Sequence, residues 1–412
     1  MLTINLRHLY FFMEVARLRS VTAAANNIHL SQPAITQAVG NVERFFDTAL
    51  LVRNSTGVTL TAAGELCQSR IERAFMQLQE GIGDLTRTFT NVKRARLLRS
   101  LSTSQVDALL AVVDHRSFSA AARARRVSQP TIHRAAHELE RLIGVSLFEK
   151  TSYGVVPTRD AERFAIKARL AFAEISQAHA EVRTLTIGKS GRTVIGALPL
   201  ARTFLLPTAI MQFSNEHPHH QIEIVEGTYE HLLDGLRKGE IDLFIGAMRD
   251  KKTALDVVEE HLFDDPLSLI MRAGHPLLRK KRITMPMLVN AQWVSPRPGS
   301  PLREVYNNMF ITHGMNPPFA SIECNSISAA RSFLLESDMI MLLSAHQVHV
   351  DLRLGILKSI APPTGRINRS IGITWRRDWR PTNTQEKLIA TLRAGTPDNL
   401  PGPTIVRGRG KK

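Results

Sequence analysis

The sequence predicts an α/β protein with a helix-rich N-terminal region, and two observations carry this prediction. A motif in the N-terminal region occurs twice with the same internal spacing. From Thr193 onward, short apolar runs alternate with segments of helical periodicity, which is typical of an α/β domain. At 412 residues, 43% of them hydrophobic, the chain is long enough to bury several cores.

The repeat lies at a constant offset of 97 residues, from Ser20 to Ser117 and from Ser31 to Ser128. Each copy has a first helix with apolar residues at helical spacing and a short, alanine-rich second helix behind a serine cap. A third helix starts at a Ser-Gln-Pro sequence, where proline costs no internal hydrogen bond. A basic residue and a Gly-Val pair then predict a short β-hairpin. The order predicts two winged helix-turn-helix modules.

The third helix of each copy carries polar side chains on its outer face, as a helix that enters the major groove of DNA does. Basic residues of the hairpins suit backbone phosphates. For one copy alone, a solvated polar helix is the alternative; its repetition favours DNA binding. The predicted DNA-binding residues are Ser31, Gln32, Pro33, Thr36, Gln37 and Arg53 in copy one, and Ser128, Gln129, Pro130, Thr131, His133, Arg134 and Lys150 in copy two.

The charge of the chain favours the same partner. Lysine and arginine total 53 against 37 acidic residues, a net charge of +16, so double-stranded DNA is expected rather than a membrane surface. No apolar run approaches the ~20 residues of a spanning helix, and residues 1–16 do not resemble a secretory signal, so a cytoplasmic location is expected. The two cysteines, Cys67 and Cys324, are far apart and predict neither a disulfide nor a zinc site, and no cofactor is expected.

Each module continues into a long amphipathic helix. Apolar stripes run from Leu66 to Leu85 and from Phe164 to Val182. We expect one or both to pair with another subunit, although the first helix is equally suited to packing on its own chain. The basic segment 93–99 between the modules is interpreted as a solvated linker or as additional phosphate contacts.

The region after Thr193 reads as two series of strands and helices, which predicts two lobes joined by crossing strands, with a ligand cleft beyond the carboxyl ends of the strands. Loop residues there precede helices, whose free N–H groups suit oxygen-rich ligands. Arg297 would clamp a carboxylate, or it is a surface arginine. The predicted effector-binding residues are Leu200, Ala201, Arg202, Thr203, Thr228, Ala247, Arg297, Ser300, Asn325 and Ser326.

These motifs resemble the LysR-type transcriptional regulators. In copy one the resemblance rests on Ala23-Ala24-Ala25, Leu30-Ser31-Gln32-Pro33-Ala34 and Leu60-Thr61-Ala62-Ala63-Gly64, and in copy two on Ser128-Gln129-Pro130, Leu139-Glu140 and Leu147-Phe148. In the last domain it rests on Glu226-Gly227-Thr228, Gly239-Glu240-Ile241-Asp242 and Gly299-Ser300-Pro301-Leu302-Arg303, which are most similar to the galactose-binding-protein regulator type. A duplicated head is unusual for this family.

The resemblance implies a transcription regulator with a periplasmic-binding-protein-like sensor domain for a small molecule such as a sugar or an organic acid. It also implies a homodimer or homotetramer, with RNA polymerase as a further partner. The predicted domains are residues 1–64 (copy one), 65–99 (linker helix), 100–159 (copy two), 160–190 (linker or dimerisation helix), 191–395 (effector-binding domain) and 396–412 (basic disordered tail).

Departures from the family pattern leave open which copy reads DNA. Copy one has Leu51 where phenylalanine is usual, and copy two replaces the closing Thr-x-Ala-Gly with Thr158-Arg159-Asp160-Ala161. We expect both copies to contact DNA, and copy two to read bases better, because Arg134 can engage guanine through two hydrogen bonds.

An enzyme is not expected, because the sequence has no GxSxG, HExxH or phosphate-loop pattern. His217, His219 and His220 flank Pro218, where a solvated loop is favoured over a metal site.

Overall fold

A computed structural model describes residues 4–54, 57–86, 89–151, 154–188, 191–249 and 256–396. It divides into two compact units. The first runs to Arg192 and takes in residues 219–221 and 237–240, and the second comprises the rest of the chain from Thr193. The predicted basic tail falls, apart from Thr396, outside the described residues.

The first unit contains two copies of one arrangement, joined by a short helix. Its elements are α1 Leu6–Leu18, α2 Val21–Ile28, α3 Gln32–Phe46, β1 Leu51–Asn54, β2 Gly57–Leu60, α4 Ala62–Leu85, α5 Asn91–Ser100, α6 Thr103–His115, α7 Phe118–Arg125, α8 Gln129–Ile143, β3 Phe148–Thr151, β4 Gly154–Pro157 and α9 Arg159–Ile187. We call α1–α3 with the hairpin β1–β2 the first head, and α6–α8 with β3–β4 the second head. Both hairpins are antiparallel, as the sequence predicts.

Serine and threonine side chains start the second helix of each head and the long helix that follows the head. Ser20 and Ser117 accept hydrogen bonds from the N–H groups of Ala23 and Ala120, so each second helix begins where the sequence predicts. Thr61 starts α4, and Thr158 starts α9, in the same way. Equivalent helices therefore begin at equivalent residues because the caps are repeated.

The long helices α4 and α9 pack against each other within the chain. Both apolar stripes that the sequence analysis assigned to them are buried in the core of the first unit, apart from the half-buried Leu66 and Leu85. Of the two alternatives, packing on the same chain is the one observed, and these stripes are not left exposed for a second subunit. The linker segment is also ordered: α5 packs on both α1 and α8, with Leu97 and Leu98 buried.

The second unit is a sheet covered by helices. Its elements are β5 Arg192–Ala197, α10 Pro199–Thr203, α11 Leu205–Glu216, β6 Gln221–Glu226, α12 Tyr229–Arg237, β7 Leu243–Ala247, β8 Val257–Arg272, α13 Met285–Val289, β9 Gln292–Ser295, α14 Pro301–Ile311, β10 Ile322–Glu323, α15 Ile327–Glu336, β11 Met339–Ser344, α16 His349–Arg353, β12 Leu357–Ile360, β13 Ile367–Arg376 and α17 Asn383–Ala394. Short 3-10 turns lie at Pro276–Arg279 and Ala345–Val348.

The strands described in this unit form one sheet in the order β10-β9-β11-β8-β13-β7-β5-β6, with β12 paired to β8. The sheet is mixed rather than wholly parallel. Strands β8 and β13 run antiparallel to each other and to β11 and β7, respectively. They are the crossing strands that connect the two lobes. Hydrophobic periodicity predicts a strand only over Leu267–Met271, the last part of β8, because the first part of β8 is rich in charged residues and lacks an apolar run.

Candidate functional site

In the first head, α3 presents its N-terminal half outward. The Ser31 hydroxyl accepts from the N–H of Ala34, which starts the helix. Gln32 and Gln37 are exposed and Thr36 is half-buried, whereas Ile35 on the opposite face is fully buried. The predicted contact residues therefore lie on one accessible surface, and the apolar face of α3 holds them on the head.

In the second head, α8 has the same orientation but different chemistry. The side chain of Arg134 is 75% exposed, with its Nε 4.0 Å from Glu138 Oε1. Gln129 accepts a hydrogen bond from Ser119, and Thr131 is exposed next to the Ser128 cap. These side chains place hydrogen-bond donors and acceptors at the exposed N-terminal end of α8.

His133 differs from the other predicted contacts of α8 because it is engaged within the head. Its Nε2 lies 3.0 Å from Nε2 of His137, and its ring packs 5.1 Å from that of Phe118. His137 in turn bonds to Glu140. His133 is exposed, yet these contacts restrain its side chain, whereas Arg134 has only the distant approach to Glu138.

In each head a glutamate of the third helix, α3 or α8, accepts hydrogen bonds from the backbone at the start of the hairpin. Glu43 Oε1 accepts from the N–H groups of Leu50 and Leu51 at 2.9 and 3.2 Å. Glu140 Oε1 accepts from the two equivalent N–H groups at 2.8 and 3.1 Å. Arg53 is exposed on β1, where it can reach a phosphate. Lys150 lies in β3, and its side chain falls outside the described residues.

The second unit contains a cavity of about 660 Å³ at the ends of its strands. Seven of the ten predicted effector residues line it: Leu200, Arg202, Thr228, Ala247, Arg297, Ser300 and Asn325. Thr228 and Ser300 lie at the starts of α12 and α14, and the Ser300 hydroxyl caps α14 through the N–H of Arg303. The backbone N–H of Arg297 donates to Asn325 Oδ1, 3.0 Å away, which positions the Arg297 loop at the cavity.

The other three predicted effector residues are not among those that line the cavity. Ala201 is fully buried in the core of the lobe, because its small side chain points into the packing between α10 and the sheet. The Thr203 hydroxyl is directed to the carbonyl of Leu200 in its own helix turn. The Ser326 hydroxyl caps α15 by accepting from the N–H of Ala329.

Two arginines of the cavity were missed by the sequence analysis. Arg249 follows β7 and donates to Glu230 Oε1 at 2.8 Å. Arg369, on β13, pairs at 2.7 Å with Asp265, which is fully buried. No local pattern marks either residue, and Arg369 comes to the cavity only because a distant strand crosses between the lobes.

The carboxylates that line the cavity pair with arginines. A hydrogen bond from its own backbone N–H and the pairing with Arg249 lower the pKa of Glu230, against the smaller opposing effect of burial. Arg202 pairs with Glu226 in the same wall. Three of the four cavity arginines thus have a carboxylate partner, whereas no described carboxylate lies within ion-pair distance of Arg297.

Two family profiles match the chain. The profile of the bacterial regulatory helix-turn-helix protein, LysR family, matches twice, over residues 6–65 and 103–162. The LysR substrate binding domain matches residues 187–397. In the described part of the chain, none of the helices has the length and apolar character needed to cross a membrane.

Individual proteins show the same relationship. The chain is 30% identical to the HTH-type transcriptional regulator GalR of Pseudomonas putida over 389 residues, which is 94% of this chain and 96% of GalR. It is 28% identical to the regulator GbpR of Azospirillum brasilense over 298 residues, 72% of this chain and 87% of GbpR.

A solved structure of full-length CbnR complexed with its target DNA shares the fold, with a TM-score of 0.52 at 19% identity, over 71% of this chain and 99% of CbnR. The family, the duplicated head and the non-enzymatic class expected from the sequence are thereby confirmed. The chain is a member of the LysR family of bacterial transcriptional regulators, with two helix-turn-helix heads and one effector-binding domain.

Proposed function

We propose that this LysR-family regulator binds a small organic anion in the cavity of the second unit, and that the anion controls its binding to a specific DNA sequence. Arg297 is the observation that carries the effector class. Among the described residues four arginines line the cavity, and Arg202, Arg249 and Arg369 already face carboxylates. The Arg297 guanidinium therefore remains to receive a carboxylate from a ligand, in the planar geometry that favours two parallel hydrogen bonds.

A neutral sugar is the second candidate. Hydroxyl and amide groups of Thr228, Ser300, Asn325 and Gln347 also line the cavity, and they can exchange hydrogen bonds with several ligand hydroxyls. An acid form of a sugar would use both sets of groups. The ligand charge thus separates the two candidates.

Matched ligand pairs test the proposal. Galactonate and benzoate are expected to raise the melting temperature of the second unit more than galactose and benzamide do, because only the acids bring a carboxylate to Arg297. Arg297→Ala should remove the difference within each pair. The control is Arg279→Ala, an exposed arginine outside the lining of the cavity. A preference for the neutral ligands that survives in both variants would favour the sugar.

Filling the cavity should abolish the effector response while DNA affinity is retained. Ser300→Leu places a bulky side chain in the cavity, but it also removes the cap of α14, which costs about 1 kcal/mol. Ser326→Leu is the matched control, because it removes the cap of α15 outside the cavity lining. Thr228→Leu is expected to act like Ser300→Leu. Equal ligand titrations in all three variants would contradict the cavity as the effector site.

Binding to a specific DNA fragment should weaken steeply as the salt concentration rises from about 50 to about 200 mM, because binding releases the counterions of the DNA phosphates. The exposed Arg53 and the net charge of +16 support this expectation. Fluorescence anisotropy of a labelled fragment, titrated at several salt concentrations, measures the slope. An affinity that does not depend on salt would contradict phosphate binding by the heads.

Three further expectations belong to the same proposal. A homodimer or homotetramer and contact with RNA polymerase follow from the resemblance to the family, and a cytoplasmic location is expected because residues 1–16 do not resemble a secretory signal. Co-sedimentation of the regulator, DNA and polymerase at stated protein concentrations tests the first two.

A further inference from the structure

The two heads of one chain are related by an approximate twofold axis. Helices α4 and α9 run antiparallel, since Arg70 near the start of α4 contacts Glu181 near the end of α9, while Gly81 near the end of α4 approaches Phe164 near the start of α9. A β-carbon at Gly81 would come within 2.6 Å of the Phe164 ring. The helices are therefore closely packed along their length.

The polar contacts between these helices occur twice, at residues that correspond to each other in the two copies of the repeat. Arg70 Nη1 contacts Glu174 and Gln177, each at 2.9 Å. At the other end, Lys167, which occupies the position of Arg70 in the second copy, contacts Gln77 at 3.2 Å and Glu80 at 2.5 Å. Gln77 and Glu80 are themselves the counterparts of Glu174 and Gln177. Reciprocal contacts of this kind define a twofold, isologous interface.

Residues that correspond to each other in the two copies lie close to the expected position of the twofold axis. The backbone N–H of Leu6 donates to Thr103 Oγ1 at 2.9 Å, and these two residues are counterparts in the repeat. Ala74 and Ala171, also counterparts, fall midway between the two sets of polar contacts and are fully buried. Small side chains at this position allow the helix axes to approach closely.

The connecting helix α5 holds the pair together within one chain. The Arg94 guanidinium donates to the carbonyl of Thr86 at the end of α4. Arg99 Nε donates to the Tyr10 hydroxyl at 2.9 Å, and the Arg7 guanidinium to the carbonyl of Ser100 at 2.8 Å. Since α5 also packs on α8, it contacts both heads.

We propose that one chain is a complete two-headed DNA-reading unit, which recognises a bipartite site with two unlike half-sites and needs no head from a second copy. Twofold pairs of helix-turn-helix heads bind half-sites that mirror the protein symmetry, about one helical turn apart or a multiple of it. Here the symmetry is approximate. Gln32 and Gln129 are shared, but Gln37 corresponds to Arg134 and Ala34 to Thr131, so the half-sites should agree in part and differ in part.

This inference rests on the DNA binding stated under the proposed function, and mixing of full-length variants tests it. Gln37→Glu should disable the first head and Arg134→Glu the second, each lowering affinity for the selected site by roughly 5- to 150-fold. The two variants, co-expressed with different tags and purified together, should bind no better than either alone, because no chain has two working heads. Recovery of wild-type affinity in the mixture would show that heads pair between chains and would overturn the proposal.

A cross-link tests the pairing without DNA. Glu80→Cys and Lys167→Cys, with Cys324→Ser, place two accessible thiols across the α4–α9 interface. Burial, with a smaller contribution from Glu181, raises the pKa of the Cys67 thiol, so that this thiol stays protonated and unreactive. A short bis-maleimide should give a product of single-chain mass, and a two-chain product would overturn pairing within the chain.

Selection from a random DNA library completes the test. Two unlike half-sites are expected, whereas a perfect palindrome would overturn the inference. Failure of the wild type to select any DNA would overturn both this inference and the proposed function. It would be distinguishable from failure of the pairing alone, because the cross-link would still give the single-chain product.

Discussion

Replacement of Arg70 by methionine is expected to lower the free energy of unfolding of the first unit by about 3–5 kcal/mol. The Arg70 side chain is 2% exposed and pairs with Glu174 and Glu181, which are 8% and 16% exposed. Burial opposes the charge of Arg70, but the hydrogen bonds to Glu181 and then Glu174 outweigh it and raise the pKa of Arg70. Without the guanidinium, Glu181 loses its ion pair with Arg70, and Glu174 keeps only its pair with Arg73 at 3.0 Å.

Hydrogen exchange of the α4 and α9 amides measures this effect locally. The three tryptophans, Trp293, Trp375 and Trp379, all belong to the second unit, so their fluorescence reports whether that unit stays folded. Arg17→Met is the matched control, because Arg17 is 55% exposed and its ion pair with Glu14 should contribute at most about 1 kcal/mol. Equal protection of α4 in the two variants would contradict the role of Arg70.

The triple variant Arg70→Met, Glu174→Gln, Glu181→Gln should recover part of the loss, since neutral amides are less costly to bury than carboxylates without a partner.

Replacement of Arg134 by alanine is expected to reduce discrimination at one base pair of the DNA site by about 1–3 kcal/mol. Arg134 is largely exposed on α8 and its nearest carboxylate is at the limit of ion-pair distance, so the guanidinium is available to a guanine. Competition binding with single-base variants of the selected site measures the change. A loss confined to one half-site would assign that half to the second head.

Arg53→Ala separates affinity from specificity. Arg53 lies on the hairpin of the first head, where it would contact phosphate, so its loss should weaken all DNA fragments about equally. If Arg134→Ala leaves the ranking of site variants unchanged while Gln37→Ala alters it, the first head alone reads bases. The second head would then serve packing only.

The local structure of the heads was predictable because its signals are local. The serine caps at Ser20, Ser31, Ser117 and Ser128 start the helices at the expected residues, and the Gly-Val pairs form the hairpins. Seven cavity residues were also found, since they follow strands or precede helices whose order is evident from hydrophobic periodicity. The domain boundaries and the individual contact residues remain predictions.

The features that escaped prediction depend on residues far apart in the chain. The partner of α4 is one example. The apolar stripe of α4 could pack on another subunit or on α9 of the same chain, and the matching contacts of Arg70 and Lys167 identify α9 as the partner. Arg369 is another, because it lies on β13, 104 residues after its partner Asp265, and reaches the cavity only through the pairing of distant strands. Ala201 shows the reverse: the sequence predicts a loop residue that faces the cavity, whereas Ala201 lies in α10 and is buried in the core.

The joining of α4 and α9 in one polypeptide has a consequence for dosage. When two heads come from separate molecules, their encounter is bimolecular, and the fraction of competent pairs falls as the regulator is diluted. In a single chain the second head is already present at an effective concentration set by α5 rather than by expression. Occupancy of a bipartite site by this pair of heads should therefore rise with the first power of regulator concentration. A chain with one damaged head should not inhibit the intact chains in the same cell.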